Sequence, residues 1–99
     1  MTIINNTISF APHIQNEAIE WLKNVYVALF AACPIVERAL LLHIEQQDDA
    51  GDCFALQIHF ANKEHYTRYK EKYAPDFEQI LAVKFHNMMG VFTTVLHEV

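Results

Sequence analysis

Basic residues are scarce: 7 Lys and Arg stand against 12 Asp and Glu, for a net charge of −5. Nucleic-acid binding rests on neutralising phosphates with Lys and Arg, so this balance argues against it. It argues equally against a polybasic membrane-surface role. Glycine is rarer still. With Gly51 and Gly90 alone, no glycine-rich phosphate loop can be built. Ser9 is the one serine, and Cys33 and Cys53 are too few and too scattered for a disulfide scaffold. Reduced thiols in a cytoplasmic protein are the expectation. No apolar run approaches the roughly 20 residues that a bilayer span needs. The opening "MTIINNTISF" lacks a basic n-region, a long apolar h-region and a small-residue cleavage site, so no signal peptide is expected.

Apolar residues, by contrast, are plentiful. They make up 53 % of the chain, against roughly 45–50 % in ordinary soluble domains. The 99 residues suit one domain spanning 1–99. A domain this small leaves about a third of its unfolded surface exposed. Self-association is the simplest outlet for surplus apolar surface.

The elements follow from periodicity. In "TIINNTISF", Ile4, Asn6, Ile8 and Phe10 alternate with Ile3, Asn5, Thr7 and Ser9, which predicts a strand ended by Ala11-Pro12. From about Ile14 to Ala32 the period turns helical through Ala18, Trp21, Leu22, Val25, Ala28 and Leu29. Cys33-Pro34 ends that helix, because proline disfavours helical geometry in the residue before it. "IVERALLLHIEQQ", Ile35 to Gln46, reads as a second strand, and "DDAGD" as a turn. "CFALQIHFA" alternates again, with Phe54, Leu56, Ile58 and Phe60 on one face and Cys53, Ala55, Gln57, His59 and Ala61 on the other. These two strands predict a hairpin. Asn62 is placed to cap a helix running to about Tyr73. Pro75 kinks that helix or opens a new segment, with Ala74 as the hinge. Ile80, Leu81 and Phe85 extend the apolar stripe, Gly90 marks a break, and "VFTTVLHEV" closes the chain as a β-branched strand.

The order strand, helix, strand, strand, helix, strand is that of the ferredoxin-like split βαβ fold, an α+β architecture. It lays a four-stranded antiparallel sheet under two helices on one face. The other face is then bare. Its expected row on the third strand is small and amphipathic rather than charged. The second strand is apolar on both faces through Ala39, Leu40, Leu41 and Leu42, which points to burial on both sides. A homodimer is expected, with two sheets facing each other or edges extended across a two-fold axis.

The run "WLKNVYVALFA", the YxxYxxxYAP pattern from Tyr66 to Pro75 and the closing "GVFTTVLHEV" resemble domain-of-unknown-function family 4286 across nearly the whole chain. The Tyr-Ala-Pro element and the final Phe-x-Thr-x-Leu-x-Glu-Val strand are the most specific parts. The resemblance implies a cytosolic ferredoxin-like domain of the dimeric α/β barrel type, with no established activity. One departure stands out. Such proteins tend to carry His-Ile-Pro in the first helix region, where this chain has Tyr26-Val27-Ala28. Any chemistry done by that histidine is lost here.

Each candidate for chemistry has a structural reading beside it. Tyr66, Tyr69, Tyr73 and Phe77 recur at helical spacing and fit a helix face turned to the sheet, with hydroxyls reaching water or a carbonyl. The functional reading is that one or two hydroxyls point into a ligand cavity beside the kink. Of the histidines, His43 and His59 are mid-strand and could meet across the hairpin, and His97 lies on the last strand. His13, His65 and His86 read as solvated. No HxxxH or CxxC spacing announces a metal site, and no cofactor is expected. Cys33 stands at a helix C-terminus, where the dipole disfavours a thiolate. The RNA-recognition module shares this order of elements. It needs aromatic and basic residues on the bare row of the third strand, which here carries neither.

Two functions fit these constraints. One is a homodimeric, non-catalytic module binding a small ligand or a partner protein. The other is a cofactor-independent oxygenase or isomerase, which would need a dry cavity with one or two polar groups. For either, Asn6, His43, Gln57, His59 and Thr94 are the ligand-binding candidates, placed on the bare sheet face.

Overall fold

The computed structural model describes residues 1–45 and 52–99. The expected Asp/Gly turn between the second and third strands lies, but for Asp52, outside the described residues, as does Gln46. Four strands form one sheet: β1 (Thr2–Phe10), β2 (Arg38–Ile44), β3 (Cys53–Phe60) and β4 (Met89–His97). Their spatial order is β2-β3-β1-β4, and every pairing is antiparallel. Both helical connections cover the same face, which is the α+β ferredoxin-like arrangement expected from the order of elements.

Register decides which side chains are covered. Ile4 pairs with Ile58, Asn6 with Leu56 and Ile8 with Phe54. Directly paired residues share a face, so even-numbered positions of β1 join the Phe54–Phe60 row beneath the helices. Ile8, Leu56, Ile58 and Phe60 are fully buried there.

The first connection begins with a 3₁₀ turn (Pro12–Ile14). It continues as α1 (Gln15–Trp21) and α2 (Val27–Ala31), joined by a π turn at Leu22–Tyr26. The buried row is Ala18, Leu22, Tyr26 and Phe30. It replaces part of the expected stripe: Val25 and Ala28 face solvent. A four-residue period drifts by about 40° per step around a helix of 3.6 residues per turn. The wider π turn, closed by the Val27 amide on the Leu22 carbonyl, cancels that drift and keeps Tyr26 and Phe30 on the sheet.

The second connection is α3 (Lys63–Lys72) followed by α4 (Ala74–Lys84). Asn62 caps α3, its side chain accepting from the His65 amide at 2.8 Å. The break falls at Tyr73 (φ −114°, ψ −34°), one residue before the expected hinge, with Pro75 in the first turn of α4. The aromatic row does face the core. Tyr69 is buried, its ring 5.2 Å from Phe60, and Phe77 meets Phe30 at 4.9 Å.

Two boundaries differ from expectation. β2 starts at Arg38 rather than Ile35, because the Val36 amide turns back to the Cys33 carbonyl at 3.1 Å. Gly90 lies inside β4, paired with Ser9, and does not break the strand. A Cβ there would come within 3.3 Å of the Ser9 hydroxyl, so close strand approach explains the glycine. The reversal before β4 instead uses Asn87 at φ 62°, a left-handed position that asparagine tolerates.

Candidate functional site

The five candidates do not form one site. Gln57 and Thr94 lie on the bare face, in line with Asn5 between them. Gln57 Nε2 donates to Asn5 Oδ1 at 3.2 Å, and His59 Nε2 lies 3.2 Å from Gln57 Oε1. Three of the five therefore share a polar strip, completed by Asn5 rather than Asn6. Around it the bare face is apolar and open: Phe92 is 70 % exposed, Leu96 45 % and Leu42 42 %.

Asn6 and His43 are corrections. Alternation along β1 turns Asn6 to the helix-covered face, opposite Leu56 and Thr93. His43 pairs with Phe54 and so also belongs to the helix-side row, at the sheet edge. Its Nε2 contacts Asp52 Oδ1 at 3.1 Å, and Asp52 Oδ2 accepts from Gln15 at 2.9 Å. These two hydrogen bonds hold the Asp52 carboxyl below the usual carboxylate range. His43 and His59 are not neighbours: His59 pairs with Arg38, at the opposite end of the β2–β3 ladder.

The concave feature lies on the helix side. A cavity of about 400 Å³ sits between the β1–β4 half of the sheet and the helices. Its floor includes Ile4 and Asn6 of β1 and Thr93 and Val95 of β4. Tyr26 and Phe30 form one wall, brought there by the π turn. Tyr66 and Tyr69 of α3 and Leu81 of α4 form the other, with the exposed Lys70 and Glu78 at the mouth. Neither α3 nor α4 packs extensively along β4, which leaves the gap between them.

Several polar groups line the cavity: Asn6, Thr93, the phenols of Tyr26, Tyr66 and Tyr69, and Lys70 and Glu78. Thr93 donates its hydroxyl to Asn6 Oδ1 at 2.7 Å. Tyr26 donates its hydroxyl to the Phe77 carbonyl at 2.8 Å, tying the π turn to α4. The Tyr69 hydroxyl has no hydrogen-bond partner among the described residues. Every fully enclosed polar side-chain atom among them does have one, so the Tyr69 hydroxyl opens onto the cavity. Burial raises the Tyr26 phenol well above its ordinary range, with Glu78 adding to the effect. Tyr69 is raised likewise by burial, then by Tyr26, Glu78 and Cys33. Both stay protonated donors at neutral pH. The aromatic spacing of α3 pointed toward this wall. The contributions of Tyr26 and Thr93 depend on the π turn and on register, which leave no mark in a linear pattern.

Among the described residues, no group of three His, Cys, Asp or Glu could hold a metal ion. Nor, among those residues, is any helix long and apolar enough to cross a membrane.

Solved structures share this architecture. HapK from Hahella chejuensis superposes with a TM-score of 0.70 at 21 % identity, covering 100 % of this chain and 93 % of its own. SnoaB, a cofactor-independent oxygenase from Streptomyces nogalater, gives 0.69 at 15 %, covering 98 % and 91 %. A dimeric ferredoxin-like protein of unknown function from Thermobifida fusca gives 0.51 at 16 %, covering 96 % and 92 %. At these identities the likeness shows the fold alone. Comparison with curated proteins finds no match. The model of the family "Domain of unknown function (DUF4286)" matches residues 1–99, and the chain belongs to that family.

Proposed function

We propose that this protein is a cytoplasmic homodimer that binds a small molecule in the cavity between β1, β4 and the helices, as a binding module rather than a catalyst. The cavity itself carries this reading. Its volume of about 400 Å³ falls within the range of small-molecule sites, about 300–1,000 Å³. Its lining combines apolar and aromatic side chains with placed polar groups, as such sites do. Asn6 lines this cavity.

The dimer rests on the opposite face. Phe92, Leu96 and Leu42 present apolar surface around the Asn5–Gln57–His59–Thr94 strip. A second copy of the same face would bury the apolar rim and find polar partners at the centre. The Thermobifida fusca protein, dimeric with the same fold, supports a dimer. Two free thiols, Cys33 and Cys53, accord with a reducing compartment.

A native mass spectrum of the purified protein tests both parts. The expected species is twice the 11.5 kDa chain mass, carrying an extra bound compound. A clean monomer would overturn the dimer. Failure of any small molecule to shift the backbone amides of Tyr69 and Thr93 in an NMR titration would overturn the cavity as a binding site.

A further inference from the structure

We propose that the cavity takes an uncharged, ring-bearing molecule with a carbonyl oxygen or similar acceptor, seated with that acceptor against the Tyr69 hydroxyl. This names the ligand class for the binding reading above and rests on it.

The two inner phenols are not equivalent. Tyr26 has spent its proton on the Phe77 carbonyl. Tyr69 is only 4 % exposed, yet its hydroxyl has no partner among the described residues and opens onto the cavity. Solvent reaches that hydroxyl, and an acceptor delivered by a ligand would replace water there with a direct hydrogen bond. The phenol carries its proton at neutral pH, so it can donate to that acceptor.

The walls select the body of the ligand. Tyr26 and Phe30 stand edge-to-face with centroids 4.9 Å apart, and Leu81 and Ile4 complete an apolar slot. Aromatic faces and edges reward a flat ring. Charge is confined to the mouth, where Lys70 and Glu78 oppose each other in sign. A carboxylate or ammonium carried to the depth of Tyr69 would lose its hydration without a counter-ion. The ligand is therefore neutral where it is buried.

Three probes of one shape separate these claims by NMR titration of the intact protein. They are 2-acetonaphthone, 2-isopropenylnaphthalene, in which a methylene replaces the ketone oxygen, and the anion 2-naphthoate. The ketone is expected to shift the Tyr69 and Thr93 amides and to bind more tightly than 2-naphthoate. In Tyr69→Phe, the ratio of ketone to hydrocarbon affinity should fall about five- to tenfold, the worth of one buried hydrogen bond. Taking the ratio cancels the greater hydrophobicity of the hydrocarbon. A ratio unchanged in Tyr69→Phe overturns the acceptor assignment while cavity binding stands. Tighter binding of 2-naphthoate than of the ketone in the unaltered protein overturns neutrality, whatever the variant does. Shifts confined to Phe92 and Leu96, or none with any probe, overturn the cavity reading and this proposal together.

Discussion

The sheet has two faces, and each carries a polar strip set among apolar residues. On the helix side, Thr93 and Asn6 pair at 2.7 Å beside a cavity. On the bare face, Asn5, Gln57 and His59 link across two strands, ringed by exposed Phe92, Leu96 and Leu42. Adjacent asparagines, Asn5 and Asn6, thus serve opposite surfaces. The contrast teaches what polar residues in a strand do. The helix-side strip borders a cavity walled by the protein's own helices and open along β4, where Thr93 is exposed. The uncovered strip sits where another surface has to be supplied.

The sharpest way to break the covered face is Phe30→Ala. Phe30 is buried against Tyr26, Tyr69 and Phe77. Its truncation should cost about 3–5 kcal/mol in urea unfolding, enough to threaten folding of so small a chain. The bare face should respond differently. Phe92→Asp is expected to weaken the proposed dimer by about 2 kcal/mol, seen in sedimentation equilibrium. The isolated fold should change by no more than about 0.5 kcal/mol, because the side chain is exposed. If Phe92→Asp melts the monomer as severely as Phe30→Ala does, the two faces are not independent.

Smaller changes sharpen the contrast. Tyr26→Phe keeps the ring and removes the bond to the Phe77 carbonyl, at a cost of about 1 kcal/mol in thermal unfolding. Its partner phenol, Tyr69, makes no such bond, so Tyr69→Phe should be close to neutral for stability. Equal losses in the two variants would show that Tyr69 has a protein partner after all. The smallest effect is expected at the sheet edge. The Asp52 carboxyl is held below its ordinary value by Gln15 and His43. A depressed carboxylate contributes stability that is present above its unfolded-state value and lost as pH falls through its folded value. Gln15→Ala should therefore move the Asp52 midpoint upward in a carbon-13 NMR titration, toward that of an unpaired carboxylate.

Much of the fold is legible in the sequence. The Phe54–Phe60 alternation marked the core row of β3, and register carried that choice to Ile4 and Ile8. The same parity could have placed Asn6 correctly, since Ile4, Ile8 and Phe10 outweigh Ile3 and Thr7 in apolar bulk. The first helix has the periodicity of a regular helix, and the structure departs from it. A strict period of four in Ala18, Leu22, Tyr26 and Phe30 demanded a wider turn, visible only once the π segment was seen. Gly90 misled for a related reason. A glycine in sequence signals freedom, but here it answers the approach of Ser9 on the neighbouring strand.

The sequence by itself determined the order of elements, the family and the row of β3 that faces the helices. Those depend on hydrophobic period and local propensity, which the chain carries along its length. Only the tertiary structure decided that a cavity opens between β4 and the helices, and which hydroxyl within it is left without a partner. A cavity is what several elements fail to fill together, and a hydrogen bond depends on which groups arrive side by side. Neither is written in any single stretch of residues.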